Sequence, residues 1–170
     1  MSVSLQMLNA ADHEAFITTL GHLFEHSPWV AEETWAKRPF ASVEALHAAL
    51  CAAMRAAPAD RQLALIRAHP DLAGRLARQK QLTAESTREQ ASAGLDQLTD
   101  AELAEFARNN DTYKAKFGFP FIICARLNAK ASILSAMAAR LPNTPTVEFT
   151  TALAEIEKIA WLRLQDALGN

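Results

Sequence analysis

The chain is poor in the features that mark specialised protein classes. It has two cysteines in 170 residues, Cys51 and Cys124, and they form no C-x-x-C pair. Isolated cysteines of this kind usually behave as small buried apolar side chains, and they stay reduced in a reducing compartment. The sequence indicates no role beyond packing for Cys51 or for Cys124. The five glycines form neither a phosphate-binding loop nor a dinucleotide-binding fingerprint. No apolar run reaches the length of about 18 residues that a membrane-spanning helix needs.

Charge of one sign is also scarce. The formal net charge is −2, and neither a basic tail nor a basic cluster is present. This argues against a nucleic-acid partner and against an anionic membrane surface. An anionic substrate would therefore have to be bound by individually placed arginines.

Targeting signals and metal-ligand clusters are missing as well. Residues 1–5 have neither the basic region nor the long apolar region of a secretory signal, and the last three residues are not a peroxisomal signal, so we expect a cytoplasmic protein. His22 and His26 are four residues apart, but no cysteine or carboxylate cluster completes a metal site. We therefore predict no bound metal.

What is present is helical periodicity from end to end. Phe16, Leu20, Leu23 and Phe24 form one apolar stripe, with Asn9 as the candidate cap of their helix, and Thr99-Asp100-Ala101-Glu102 has the pattern of a capping box. No sustained two-residue alternation indicates strands, and no linker divides the chain. The sequence predicts an all-α, single-domain helical bundle of roughly seven to nine helices over residues 1–170.

A polar motif, His69-Pro70-Asp71-Leu72-Ala73-Gly74, interrupts the helical pattern. Pro70 disfavours the α conformation at His69, so we expect a helix to end there and a loop to follow. A histidine at a helix end is commonly structural and interacts with the last carbonyl groups. It is also suited to moving a proton near neutral pH, and loops held by rigid elements often carry reactive groups.

The run Ser86-Thr87-Arg88-Glu89-Gln90 has two interpretations. A helix that begins at Ser86, with Glu89 three residues later, fits a capping box. The amide groups of a helix N-terminus could instead bind an oxygen-rich ligand, with Gln90 beside them. The local sequence favours the capping interpretation.

Two further features are unusual for a helical core. Arg163 follows Ile156 and Ile159 on the apolar stripe of the last helix. Its guanidinium could reach the solvent along an aliphatic stem, or it could bind a buried anion through two hydrogen bonds, and the sequence favours neither. The segment Phe117-Gly118-Phe119-Pro120-Phe121-Ile122-Ile123 predicts a rigid apolar loop.

Together these motifs resemble the 2-oxo-4-hydroxy-4-carboxy-5-ureidoimidazoline (OHCU) decarboxylases of urate breakdown. The resemblance extends from the helix at Asn9 through Arg163. The motifs that carry it are His69–Ala73, Ser86–Gln90, Tyr113 with Phe117–Ile122, and Glu155-Ile156 with Arg163-Leu164. Because several separate motifs agree in order and spacing, the resemblance is specific.

The resemblance implies an all-helical enzyme that acts on the small molecule OHCU, forms a homodimer and uses no cofactor. The implied reaction releases the carboxylate of OHCU as carbon dioxide and gives (S)-allantoin. A C=N bond of the substrate's own ring can accept the electron pair, which is consistent with the lack of cofactor motifs.

The resemblance also assigns residue roles. It makes His69 the catalytic acid/base, with Glu89 and Arg163 as its partners. Ser86 and Gln90 would hold the ureido and ring groups of the substrate. The substrate-binding set is Pro70, Ser86, Thr87, Arg88, Glu89 and Gln90, together with Phe121, Ile122, Ile123, Cys124 and Ala125, whose backbone would line the remaining side. The alternative is a non-catalytic helical binding or dimerisation module, which predicts a replaced acid/base residue, whereas the three catalytic candidates are all present.

Overall fold

The computed structural model describes residues 3–169, apart from the side chains of Leu76 and Arg78. Over these residues the chain forms ten α-helices and one 3-10 helix, and no β-strand. Eight of the α-helices have seven residues or more, which agrees with the expected number, and the other two are shorter. The prediction of an all-α fold is confirmed. None of the helices in the described range combines the length and the apolar character needed to cross a membrane.

The chain divides into two compact units, Met1–Ala68 with Glu157–Asn170, and His69–Ile156. The first unit contains α1 (Leu5–Ala10), α2 (His13–Leu20), α3 (Trp29–Trp35), α4 (Val43–Ala56) and α5 (Ala59–Ala68). The second contains α6 (Arg75–Arg78), α7 (Ala84–Ser92), α8 (Asp100–Phe117), a 3-10 helix (Ala125–Leu127) and α9 (Lys130–Arg140). Residues of α10 (Pro145–Leu168) belong to both units. The expectation of one domain over residues 1–170 stays a prediction.

The first unit is built on the apolar stripes that the sequence predicts. Phe16, Leu20, Leu23 and Phe24 are all buried, as are Leu46, Leu50 and Met54 of α4. The predicted cap at Asn9 is wrong, because α2 is capped by Asp12, whose carboxylate accepts a hydrogen bond from the Ala15 amide at 2.8 Å. Asn9 lies in α1. Its carboxamide donates a hydrogen bond to the Phe40 carbonyl and accepts one from the Phe40 amide.

The second unit has an aromatic core. Tyr113 contacts Phe117 and Phe121, with ring centroids 4.5 Å and 5.2 Å away. The predicted capping box at Thr99 and Glu102 is confirmed at the start of α8. That helix ends at Gly118, whose φ of 77° lies in the left-handed region that glycine tolerates. The chain then runs through the predicted apolar loop, which is non-helical as far as Cys124.

Candidate active site

His69 lies at the end of a helix, as the proline after it predicts. The helix α5 ends at Ala68, and the imidazole is buried, with 8% of the residue exposed. The following turn is tight: Ala73 has a φ of 52°, and a Cβ atom at Gly74 would lie 2.6 Å from the Asp71 Cβ. Glycine is therefore required at position 74 for the turn to close.

The turn after His69 is bound to α7 through one carboxamide. The Oε1 atom of Gln90 accepts a hydrogen bond from the Ala73 amide at 3.0 Å. Its Nε2 atom donates to the Asp71 carbonyl at 3.3 Å. Gln90 is buried, so these bonds connect the backbone of the turn to the interior of the second unit.

The same turn also forms a hydrogen bond and an ion pair with side chains of α8. The Nδ2 atom of Asn110 donates to the Leu72 carbonyl at 2.9 Å, and Asn110 is itself buried. Lys114 forms an ion pair with Asp71 at 2.5 Å. Because side chains of two helices satisfy the backbone of the turn, it is held rigidly although it lacks regular secondary structure.

The capping interpretation of Ser86 and Glu89 is wrong. The N-cap of α7 is Thr83, whose hydroxyl accepts from the Ser86 amide at 3.2 Å, and whose carbonyl accepts from the Thr87 amide at 2.9 Å. The amides of Ser86 and Thr87 are thus occupied, which also removes them as anion-binding donors. Ser86 lies inside the first turn of α7 instead, and it is buried.

The predicted substrate residues of α7 divide between two environments. Ser86 and Gln90 are buried and Glu89 is partly buried, whereas Thr87 and Arg88 are exposed. Arg88 lies 3.9 Å from Glu85. Thr87 and Gln90 also line a cavity of about 510 Å³ together with apolar side chains that include Leu82, Leu95, Leu98 and Leu103. Substrate contact by Thr87 and Arg88 stays a prediction.

The end of the segment Phe121–Ala125 belongs to a 3-10 helix beside α7, and contact of this segment with a substrate stays a prediction. The 3-10 helix Ala125–Leu127 packs against α7. Burial raises the pKa of the Cys124 thiol, and the charges of Glu155 and Glu89 raise it further, while a backbone hydrogen bond from Leu127 opposes them. The raised pKa keeps the Cys124 thiol protonated and uncharged near neutral pH.

A buried ionic network fixes the backbone of the apolar loop. Arg140 donates to the Ile122 carbonyl at 2.7 Å and stacks over the Phe121 ring, 4.2 Å from its centroid. Its Nε atom bonds to Glu148 at 2.8 Å, and the Tyr113 hydroxyl donates to the same carboxylate oxygen at 2.6 Å. Burial and the bond to Glu148 raise the pKa of Tyr113, so its hydroxyl remains protonated and can donate.

Arg163 belongs to the first unit and is buried there. Only 3% of the residue is exposed, so the guanidinium does not reach solvent and the snorkelling interpretation is wrong. Its Nη1 atom lies 2.9 Å from Oε2 of Glu25, which is equally buried, and 3.4 Å from the His22 carbonyl. Of the two alternatives that the sequence left open, the structure has the buried anion, and Glu25 supplies it.

Comparison with known proteins assigns the chain to a family. The sequence model described as OHCU decarboxylase matches residues 9–165. The chain belongs to the OHCU decarboxylase family. A relative from Halalkalicoccus jeotgali, named 2-oxo-4-hydroxy-4-carboxy-5-ureidoimidazoline decarboxylase, is 43% identical over 96% of this chain and 91% of its own length.

Solved structures agree with the family assignment. A crystal structure of (S)-allantoin synthase superimposes with a TM-score of 0.77 and 32% identity, covering 98% of this chain. The match covers 54% of that longer chain. A crystal structure of OHCU decarboxylase in the presence of (S)-allantoin gives a TM-score of 0.70 at 28% identity, with coverage of 94% of this chain and 100% of that one.

For this member of the OHCU decarboxylase family, sequence reasoning missed several residues around the site. Asn110 and Lys114 hold the turn after His69, and Glu155 accepts a hydrogen bond from the Cys124 amide at 2.9 Å. Glu155 stood in a motif of the resemblance but received no role. Asn110 carried a weaker signal, since its carboxamide precedes Lys114 by four residues, a spacing that places two side chains on one face of a helix. Among the residues that the structure describes, no three His, Cys, Asp or Glu side chains gather as a metal centre.

Proposed function

We propose that this chain decarboxylates OHCU to (S)-allantoin in urate degradation. The observation that carries the proposal is the family match over residues 9–165, combined with a His69 turn that α7 and α8 hold in place. Such a rigid turn meets the geometric requirement for a proton donor that must act on one face of a substrate.

The chemistry requires orientation and one positioned proton. The bond between the ring carbon and its carboxylate breaks, carbon dioxide leaves, and the electron pair forms a double bond to the neighbouring ureido-bearing carbon, whose C=N electron pair moves to the ring nitrogen. That nitrogen takes up a proton, and the hydroxyl group on the carbon that lost the carboxylate releases its proton and becomes a carbonyl group of allantoin. His69 delivers a proton to one face of the ureido-bearing carbon, which sets the handedness of allantoin. In this proposal the Glu89 carboxylate supports the protonated imidazole, because an opposite charge nearby favours the charged form of a histidine.

The substrate would lie between α7 and the loop of Phe121–Ala125. Ser86 and Gln90 are the buried polar side chains that α7 offers for the ureido and ring groups. A carboxamide has two N–H groups and an oxygen with two lone pairs, so Gln90 can hold the turn and still contact a ligand. Backbone groups of residues 121–125 would bind the other side of the substrate. Arg163 is proposed as the third catalytic group.

The proposal includes the assembly and location of the protein. We propose a homodimer in the cytoplasm. Both cysteines are free thiols, as expected in a reducing compartment, which supports the location. Light scattering of the purified protein at several concentrations tests the dimer, and a single monomer mass at all of them would contradict it.

The decisive test of function is product formation. Freshly generated OHCU is mixed with the protein, and the rate and handedness of allantoin formation are followed by circular dichroism. Rapid formation of the (S) enantiomer, far above the spontaneous rate, is expected. Racemic product at the spontaneous rate would instead favour the non-catalytic helical module on the same scaffold.

A further inference from the structure

The turn between α2 and α3 contacts the guanidinium of Arg163 through a side chain and a backbone carbonyl. Glu25 and Arg163 are each 3% exposed, and their charged atoms lie 2.9 Å apart. The carbonyl of His22, in the same turn, accepts from the same Nη1 atom at 3.4 Å. One short segment thus offers a carboxylate and a carbonyl to a single nitrogen of the arginine.

The backbone of this turn is held in an unusual conformation directly after Glu25. His26 has a φ of 46°, in the left-handed region that residues with a Cβ atom rarely adopt. The Ser27 hydroxyl donates to the Glu25 carbonyl at 2.9 Å and is buried with it. Strained backbone of this kind persists only where the surrounding structure imposes it, and it is concentrated at functional sites. Here it accompanies the burial of the Glu25 side chain.

We infer that Glu25 is a positioning residue that fixes the guanidinium of Arg163 for the decarboxylation. This inference rests on the proposed function, in which Arg163 is a catalytic partner of His69. A guanidinium is a planar fork of five N–H donors, so contacts to one nitrogen restrict the direction in which the others point. The Glu25 carboxylate also neutralises the charge of Arg163, which would otherwise be costly to bury.

A purely structural role for the pair is the competing explanation. Buried ion pairs contribute little net stability compared with apolar side chains of similar volume. Stability alone therefore does not require a carboxylate at position 25, although removing one partner would still destabilise the fold. The two explanations differ in one respect: only the positioning role makes the catalytic effect of Glu25 depend on Arg163.

A double-mutant cycle on kcat separates them. The four proteins are the wild type, Glu25→Gln, Arg163→Lys and the double variant, each verified as folded by circular dichroism and thermal unfolding. Glu25→Gln is expected to lower kcat by about tenfold or more. For each variant the loss is the ratio of the wild-type kcat to the kcat of the variant. If Glu25 acts through Arg163, the loss in the double variant is smaller than the product of the two single losses by a factor of about three or more. A double loss that equals this product within about threefold overturns the inference.

The controls keep the result interpretable. Glu33→Gln makes the same chemical change in an exposed ion pair of the same unit, with Arg61, and should leave kcat unchanged. If Glu25→Gln does not fold, the cycle is repeated with Glu25→Asp, which keeps the negative charge, and the same criterion applies. A wild-type protein that forms no allantoin from OHCU would refute the proposed function separately, before any variant is compared.

Discussion

A buried imidazole in a preformed turn is the residue whose loss should matter most for turnover. His69→Ala is expected to lower kcat by about 10²- to 10⁴-fold, the usual contribution of a positioned acid or base. The fold should change little, because the turn is held by Gln90 and Asn110 and not by His69 alone. Steady-state kinetics and thermal unfolding measure the two effects. His13→Ala, at an exposed position of α2, is the control, and near wild-type turnover in a folded His69→Ala protein would contradict the assignment.

The shape of the guanidinium at position 163 should matter as well as its charge. Lysine keeps the charge but loses the planar fork, so Arg163→Lys should fold yet lose about tenfold or more in kcat/KM, equivalent to about 1.4 kcal/mol. Kinetics and a melting curve of this variant check the prediction. Unchanged catalysis would make Arg163 a structural residue and remove it from the site.

At the scale of elements, the contact between α8 and the His69 turn can be tested through Asn110. Asn110→Ala leaves the Leu72 carbonyl without the partner that it has in the structure, at a cost of about 1–3 kcal/mol. Turnover should also fall, because the backbone next to His69 loses one of its fixed points. Urea unfolding and kcat measure both effects. Asn109→Ala on the same helix is the matched control, and equal behaviour of the two variants would show that this bond does not position the turn.

The start of a helix was predictable where the sequence offered a single candidate for the N-cap residue. Thr99 and Glu102 fulfilled the capping-box pattern and formed it. At α7, Thr83 and Ser86 both carry a hydroxyl, and the choice between them depends on where the incoming chain enters the helix, which tertiary packing decides. The end of α5 just before His69 was predictable because the restriction by Pro70 is local.

At the scale of the whole molecule, contacts between distant residues were the part that the sequence could not supply. The resemblance assigned roles to His69, Glu89 and Arg163, and these roles stay predictions. Glu25 has no distinguishing pattern in the sequence, and only the fold shows that it is buried against Arg163. Arg140 of α9 and Glu148 of α10 likewise form a network with the apolar loop, and only the tertiary structure shows that they meet. Local patterns carry no information about such pairs.

The absence of a metal-ligand motif in the sequence leads to a prediction for the intact enzyme. Exhaustive chelation followed by removal of the chelator should leave kcat/KM for OHCU unchanged, because the substrate itself accepts the electron pair. The assay compares treated enzyme with and without added divalent metal. Activity that disappears on chelation and returns with a metal would refute the prediction.

Alkaline pH should destabilise the whole fold in a defined direction. Burial raises the pKa of Cys51 to about 12, and the charge of Glu157 adds to this effect. An unfolded thiol ionises near pH 8.5, so its contribution to stability is complete below that pH and is lost as the pH rises towards about 12, by up to about 1.4 kcal/mol per pH unit. Urea unfolding between about pH 8 and 11 should show a steeper decline for the wild type than for Cys51→Ala. Identical slopes would contradict the assignment.

The hydrogen bond between the Ala73 amide and Gln90 makes the turn after His69 visible to a solvent-exchange experiment. This amide proton is protected by a side chain of α7 and not by a backbone ladder of its own. Its exchange with deuterium therefore requires α7 and the turn to separate, whereas amides inside α7 can exchange by opening of the helix alone. A single amide signal thus reports on the integrity of the turn after His69 in the resting enzyme, without substrate and without turnover.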